Sequence, residues 1–198
     1  MRIAMFGGSF NPVHNGHVAL AKTFSEALHI DRLLVIPTFI PPHKQHDTSV
    51  TPKNRMEMCR LAFAALPYAE VSGIEIERGG ASYTYLTLQS LHERYPHDEL
   101  FLIMGADMFL SIQDWKNPEI IFALATICGV PRNQSDIEEL AAHAEILQSM
   151  GAKTEILDAH VMTVSSTELR RKIKNGEDFS DLVDSSVADY IRQNQLYK

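Results

Sequence analysis

The chain has little cysteine, one tryptophan, no long apolar run and no excess of positive charge. Its two cysteines, Cys59 and Cys128, stand far apart and lack metal-ligand spacing. They read as buried free thiols of a protein working in a reducing cytoplasm. No apolar stretch approaches the roughly 18 residues of a membrane span, so no membrane association is expected. Met1-Arg2 leads straight into a strand-like run, which gives no sign of a signal peptide. The formal net charge of −7 argues against nucleic acid as a partner, because phosphate backbones are bound by basic surfaces. Repeats and low-complexity tracts are absent. The 198 residues and the 45% apolar share suit a single domain over 1–198, with a helical C-terminal part from about 165 to 198.

Residues 7 to 17 read Gly-Gly-Ser-Phe-Asn-Pro-Val-His-Asn-Gly-His and follow the apolar run Ile3–Phe6. A strand that ends on a glycine pair lets backbone approach a ligand with no Cβ in the way. His14 and His17 are three residues apart and share a face where a helix begins, over about Gly16–Leu28. The N-terminus of that helix offers unpaired N–H groups and the positive end of its dipole. A phosphate bound there meets backbone donors and imidazoles together. In an acidic chain the positive charge for anionic substrates must be local, and the histidine pair, Lys44 and Arg170 are the candidates.

Strand-like runs at Ile3–Phe6, Leu33–Pro37, Val71–Glu77, Leu100–Met104, Thr126–Val130 and Thr154–Leu157 alternate with helical patterns. Helices are expected over Lys53–Leu66, Tyr85–Tyr95, Ile120–Leu124 and Ile137–Met150. Thr51-Pro52 and Asn117-Pro118 supply caps followed by proline, and Gly151 supplies a stop. The alternation predicts an α/β fold: a doubly wound, mostly parallel sheet flanked by helices. Its ligands would sit outside the C-terminal strand ends, where the glycine loop points.

Further along, Pro41-Pro42-His43-Lys44 reads as a stiff loop carrying a lysine, suited to holding a point charge over a phosphate. Ser165 and Glu168 have capping-box spacing. Ser165, Ser166 and Thr167, with Arg170 one turn later, also form a phosphate cradle at a helix start. The single tryptophan, Trp115, can stack on a planar ring. The N–H groups near Thr84 suit a carboxylate, and Asp107 could accept hydrogen bonds from a nucleotide's ribose or amino group.

His14-Asn15-Gly16-His17 resembles the (T/H)xGH signature of the nucleotidyltransferases. Pro-Pro-His-Lys, Ser82-Tyr83-Thr84, Met104-Gly105-Ala106-Asp107 with Trp115, and Ser-Ser-Thr-x-x-Arg are similar to segments of bacterial nicotinate-nucleotide adenylyltransferases, from Arg2 to Tyr197. The resemblance implies a Rossmann-like fold and transfer of the adenylyl group of ATP to nicotinate mononucleotide, with Mg²⁺ accompanying ATP. It implies catalytic roles for His14, His17, Lys44 and Arg170. ATP would be held by Gly7, Gly8, Ser9, Phe10 and Gly16, by Gly105 and Asp107, and by Ser165, Ser166 and Thr167. The mononucleotide would be held by His43, Lys44, Tyr83, Thr84 and Trp115. Two departures stand out: Asn11 replaces the family's usual Asp, and Pro131-Arg132-Asn133 replaces its Arg-Pro-Gly. Pantetheine-phosphate adenylyltransferases and cytidylyltransferases share the first motif, and a nucleotide-sensing module without turnover is the rival from another class. A homo-oligomer is compatible with the sequence.

Overall fold

Short apolar runs become parallel strands because each is flanked by residues that stop it and by a helix that covers it. The structure, a computed structural model, describes residues 1–42, 50–131, 135–159, 162 and 164–198. Its strands are β1 (Arg2–Gly8), β2 (Arg32–Pro37), β3 (Ala69–Val71), β4 (Glu99–Gly105), β5 (Thr126–Val130) and β6 (Lys153–Ile156). They form one six-stranded sheet in the order 3-2-1-4-5-6, every pairing parallel. The order reverses between β1 and β4, so the crevice for a ligand opens beyond Gly7-Gly8 and Gly105.

The helices are α1 (Asn15–Ala27), α2 (Pro52–Phe63), α3 (Ile74–Arg78), α4 (Thr84–Arg94), α5 (Ala106–Phe109), α6 (Pro118–Leu124), α7 (Ser135–Ser149), α8 (Ser166–Lys174) and α9 (Ser185–Gln193). Alternate strand residues feed two separate cores, as the two-residue strand period requires. Ala4, Phe6, Leu33, Val35 and Ile103 pack with α1, α2, α8 and α9. Ile3, Met5, Leu34, Ile36 and Leu102 pack with α4, α5, α6 and α7. Both faces are covered, which is why these strands read as unbroken apolar runs. Cys59 and Cys128 are free and buried, and burial raises both thiols well above their usual range.

Local signals place most helix ends. Thr51 Oγ1 accepts from the Asn54 N–H at 3.2 Å with proline following at the first helical position. Gly151, at φ +93°, ends α7 in a conformation that only glycine takes without strain. Asn117 precedes α6 but adopts φ 54° and gives no side-chain cap.

The expected strand Val71–Glu77 is corrected: β3 covers Ala69–Val71 and the chain then turns into α3. Ile74-Glu75-Ile76-Glu77 alternates as a strand would, yet Glu75 is the residue driven inside, 2% exposed, where Thr87 Oγ1 donates to it at 2.7 Å. A tertiary hydrogen bond overrides the local period here.

Candidate active site

The loop after β1 ends in a cap built from the two histidines. His14 is the N-cap of α1 and His17 its third residue. The His17 N–H lies 3.3 Å from His14 Nδ1, and the His14 N–H lies 3.2 Å from His17 Nδ1. The rings stack with centroids 3.6 Å apart at 22°. Both Nδ1 atoms accept, so the proton of each neutral ring is assigned to Nε2, and the backbone has selected the tautomer. His14 is 7% exposed, and burial pushes its pKa down to about 4. This corrects the expectation of a charged pair at His14: it is a neutral Nε2–H donor. Gly16 lies under the stack, where a Cβ would stand 2.8 Å from the Met162 carbonyl oxygen and 3.2 Å from His14 Nδ1. The motif's glycine is there because nothing larger fits.

The C-terminal motif docks on the same loop. Arg170 Nη1 donates to the Asn11 carbonyl at 2.6 Å, and its Nη2 to Thr167 Oγ1 at 3.2 Å. Ser166 Oγ donates to the Pro12 carbonyl at 3.0 Å, and Tyr197 Oη to Asn11 Oδ1 at 2.7 Å. Ser165 caps α8 with backbone only, so the expected capping box with Glu168 does not form. The carbonyl of Asn11 and its side chain are both held by the last 30 residues, which gives the amide a structural place where the family usually has Asp.

A cavity of about 420 Å³ opens beyond the glycine pair, and His14, His17, Ser166 and Arg170 are not among the residues that line it. Gly7, Gly8 and Ser9 line it on one side, with Tyr83, Thr84 and Trp115 also on its wall. Leu102, Ile103 and Met104 of β4 line it as well. Thr84 is the first residue of α4, and its N-cap Tyr83 supplies no side-chain cap. Gly105 and Asp107 lie at the end of β4 and in the first turn of α5, with open space where a Gly105 Cβ would be. Phe10 is 1% exposed, its ring packed edge-on against Phe6 and His17. His43, Lys44 and Arg132 lie outside the described residues.

Three charged residues at this site were missed by sequence reasoning. Arg55 is 6% exposed and donates to the Ser9 carbonyl at 2.7 Å and the Thr38 carbonyl at 2.6 Å, tying the ends of β1 and β2 together. Burial lowers its pKa, and the guanidinium keeps its charge. Lys116 lines the cavity with Nζ 4.6 Å from the centre of the Tyr83 ring. Glu75 lines it too, its carboxyl raised above the usual range by burial and pulled back by Thr87, Ser82 and nearby guanidinium groups. No local pattern marks any of the three; Arg55 falls within a helix read only for its caps and length.

Residues 5–172 match the model of the cytidylyltransferase-like family. A relative from Geotalea daltonii, named "Probable nicotinate-nucleotide adenylyltransferase", is 35% identical, the match covering 100% of this chain and 98% of its own. One of the same name from a Roseiflexus species is 37% identical over 99% and 98% of the two chains. Among solved structures, the Plasmodium falciparum nicotinic acid mononucleotide adenylyltransferase complexed with NaAD superposes with a TM-score of 0.79, 19% identity and 99% and 97% coverage. The same enzyme complexed with APC gives a TM-score of 0.78 at 18% identity, with 99% and 96% coverage, and both show the shared fold. With near-complete matches at this identity, the chain belongs to the nicotinate-nucleotide adenylyltransferases within the cytidylyltransferase-like family.

Proposed function

We infer that the protein transfers the adenylyl group of ATP to nicotinate mononucleotide, giving deamido-NAD and pyrophosphate, a step of NAD biosynthesis. The observation that carries this reading is a single cavity lined by the glycine loop of β1, the start of α4 and the only tryptophan. The names of the full-length relatives support the same substrate pair.

The mononucleotide phosphate attacks the α-phosphorus of ATP in line with the departing pyrophosphate oxygen. The nucleophile is already an anion, so no base and no covalent intermediate are required, and the enzyme contributes position and charge. His14 and His17 donate from Nε2, the edge their mutual cap leaves protonated. Such donors are worth roughly 2.7–4 kcal/mol each, or about 10²–10³ in rate. Arg170 with the Ser165–Thr167 turn would hold the leaving pyrophosphate, and Gly105 and Asp107 the adenosine. His43 and Lys44 would reach the phosphates from their loop. Tyr83, Thr84 and Trp115 would hold the pyridine ring and its carboxylate. Mg²⁺ would accompany ATP and neutralise charge on its phosphates as pyrophosphate leaves.

Pyrophosphate release from ATP, measured on adding nicotinate mononucleotide, nicotinamide mononucleotide or pantetheine phosphate, tests the reading directly. Release with nicotinate mononucleotide well above the others is the expected result. Release only with pantetheine phosphate, or with none, contradicts it.

A further inference from the structure

The cavity wall that carries Tyr83 and Thr84 is held from behind by one hydroxyl. Thr87 is fully buried, and its Oγ1 lies 3.1 Å from both Nη1 and Nη2 of Arg78 and 2.7 Å from Glu75 Oε1. A guanidinium only donates, so the hydroxyl must accept from Arg78 and spend its single hydrogen on Glu75. Glu75 and Arg78 both belong to α3, so this hydroxyl is what couples their charges to α4.

The carboxyl reaches both ends of the segment that reads the ligand. Thr87 lies one turn into α4, and Ser82 stands close enough to Glu75 to favour its ionised form, though outside hydrogen-bond geometry. Ser82 in turn accepts from the Phe39 N–H at 2.8 Å, and its own N–H donates to the Ile40 carbonyl at 2.9 Å. Tyr83 and Thr84 lie between these two anchor points. Among the described residues Glu75 Oε2 is buried without a hydrogen bond, and Thr87 is the carboxyl's one hydrogen-bond partner. Deprived of that partner, a carboxyl 2% exposed must turn toward Arg78 or draw in water, and either moves the wall.

We propose that Thr87 is a positioning residue for the mononucleotide: clamped between Arg78 and Glu75, its hydroxyl fixes the Tyr83–Thr84 wall and so sets mononucleotide affinity without touching the ligand. The inference rests on the adenylyl-transfer reading above and concerns only the ring end of the cavity.

Thr87→Val keeps the shape and removes the hydroxyl. The expected result is a rise of at least about tenfold in the KM for nicotinate mononucleotide, with kcat and the KM for ATP within about twofold of wild type. Thr87→Ser restores the hydroxyl and should recover most of the loss. Arg78→Gln loosens the clamp from its less buried side and should raise the same KM at least about threefold. It also decides the matter where the valine variant does not fold. Trp115 is the only tryptophan, so its fluorescence change on titrating nicotinate mononucleotide gives a Kd that needs no turnover. A wild type that binds but does not turn over removes the adenylyl-transfer reading while leaving this inference to its Kd values. A wild type that does not bind removes both. A mononucleotide KM within about twofold of wild type in the variants overturns the proposal. So does an equal rise in both substrates' KM, or a loss that serine fails to rescue.

Discussion

The two ends of the candidate site, the histidine loop and the cavity, are built on different principles. The histidine loop combines residues close in sequence, a glycine pair and two histidines capping one helix, with a second helix start docked on it by residues 154 and 159 positions away. At the ring end, the wall draws on α3, α4 and the segment carrying Trp115 and Lys116, with the buried Ser82 and Thr87 hydroxyls bonded to Phe39 and Glu75, 43 and 12 residues away. The histidine donors are set by a cap within one helix turn, and the cavity wall by side chains that meet across separate elements. Damage at the first end should lower turnover for every substrate, and damage at the second should change which substrate is taken.

The largest effect expected is at the phosphate end. His17→Ala should lower kcat at least about 10²-fold, in line with losing a transition-state donor, with the circular dichroism spectrum unchanged. A variant keeping more than half of wild-type turnover would take His17 out of the mechanism.

Arg55 ties the loops that follow β1 and β2 through the Ser9 and Thr38 carbonyls. Arg55→Met leaves the Ser9 and Thr38 carbonyls without their charged donor, so both stability and activity should suffer. A loss of roughly 3 kcal/mol by denaturant unfolding is expected, since hydrogen bonds to charged groups are worth about 1.5–3 kcal/mol each. Unfolding midpoints equal to wild type would show that the loops do not need the tie.

The neutral His14 makes stability depend on pH. Its folded pKa of about 4 lies below the unfolded value of 6.5, so between these values the unfolded chain binds more protons. Stability should therefore fall as pH drops from 7 toward 5, with this residue contributing of order 2 kcal/mol to the fall. His14→Asn keeps a capping side chain and should remove that part of the slope. A pH profile indistinguishable between the two proteins would place the effect elsewhere.

Arg170→Lys carries the smallest of these effects. The charge is retained but the fork that joins the Asn11 carbonyl to Thr167 is lost, so a several-fold rise in the KM for ATP is expected. Equal turnover and equal KM would reduce α8 to a structural helix.

Much of this was legible in the sequence, and unevenly so along the chain. The parallel sheet, the caps at Thr51 and Gly151 and the histidine-bearing helix start follow from short-range rules, and they are found as expected. What failed did so where a distant partner decides. Ile74–Glu77 alternates like a strand but winds into a helix to bring Glu75 to Thr87. Ser165 has the spacing of a capping residue, yet its neighbour Ser166 is the one that bonds, to Pro12 on the far side of the chain. Arg55 and Lys116 are unremarkable in sequence and acquire meaning only from the carbonyls and the ring they meet.

The separation of the two ends is tested most directly by the ratio of specificity constants for nicotinate and nicotinamide mononucleotide, measured in the wild type and in His17→Ala. A carboxylate satisfies backbone donors that a carboxamide leaves partly unpaired, at about 1–3 kcal/mol per group, so the wild type should prefer nicotinate at least about tenfold. His17→Ala should lose its turnover and keep that ratio within about twofold. A ratio that collapses together with turnover would contradict the division of labour between the two ends, and comparable constants in the wild type would contradict a wall that reads the carboxylate.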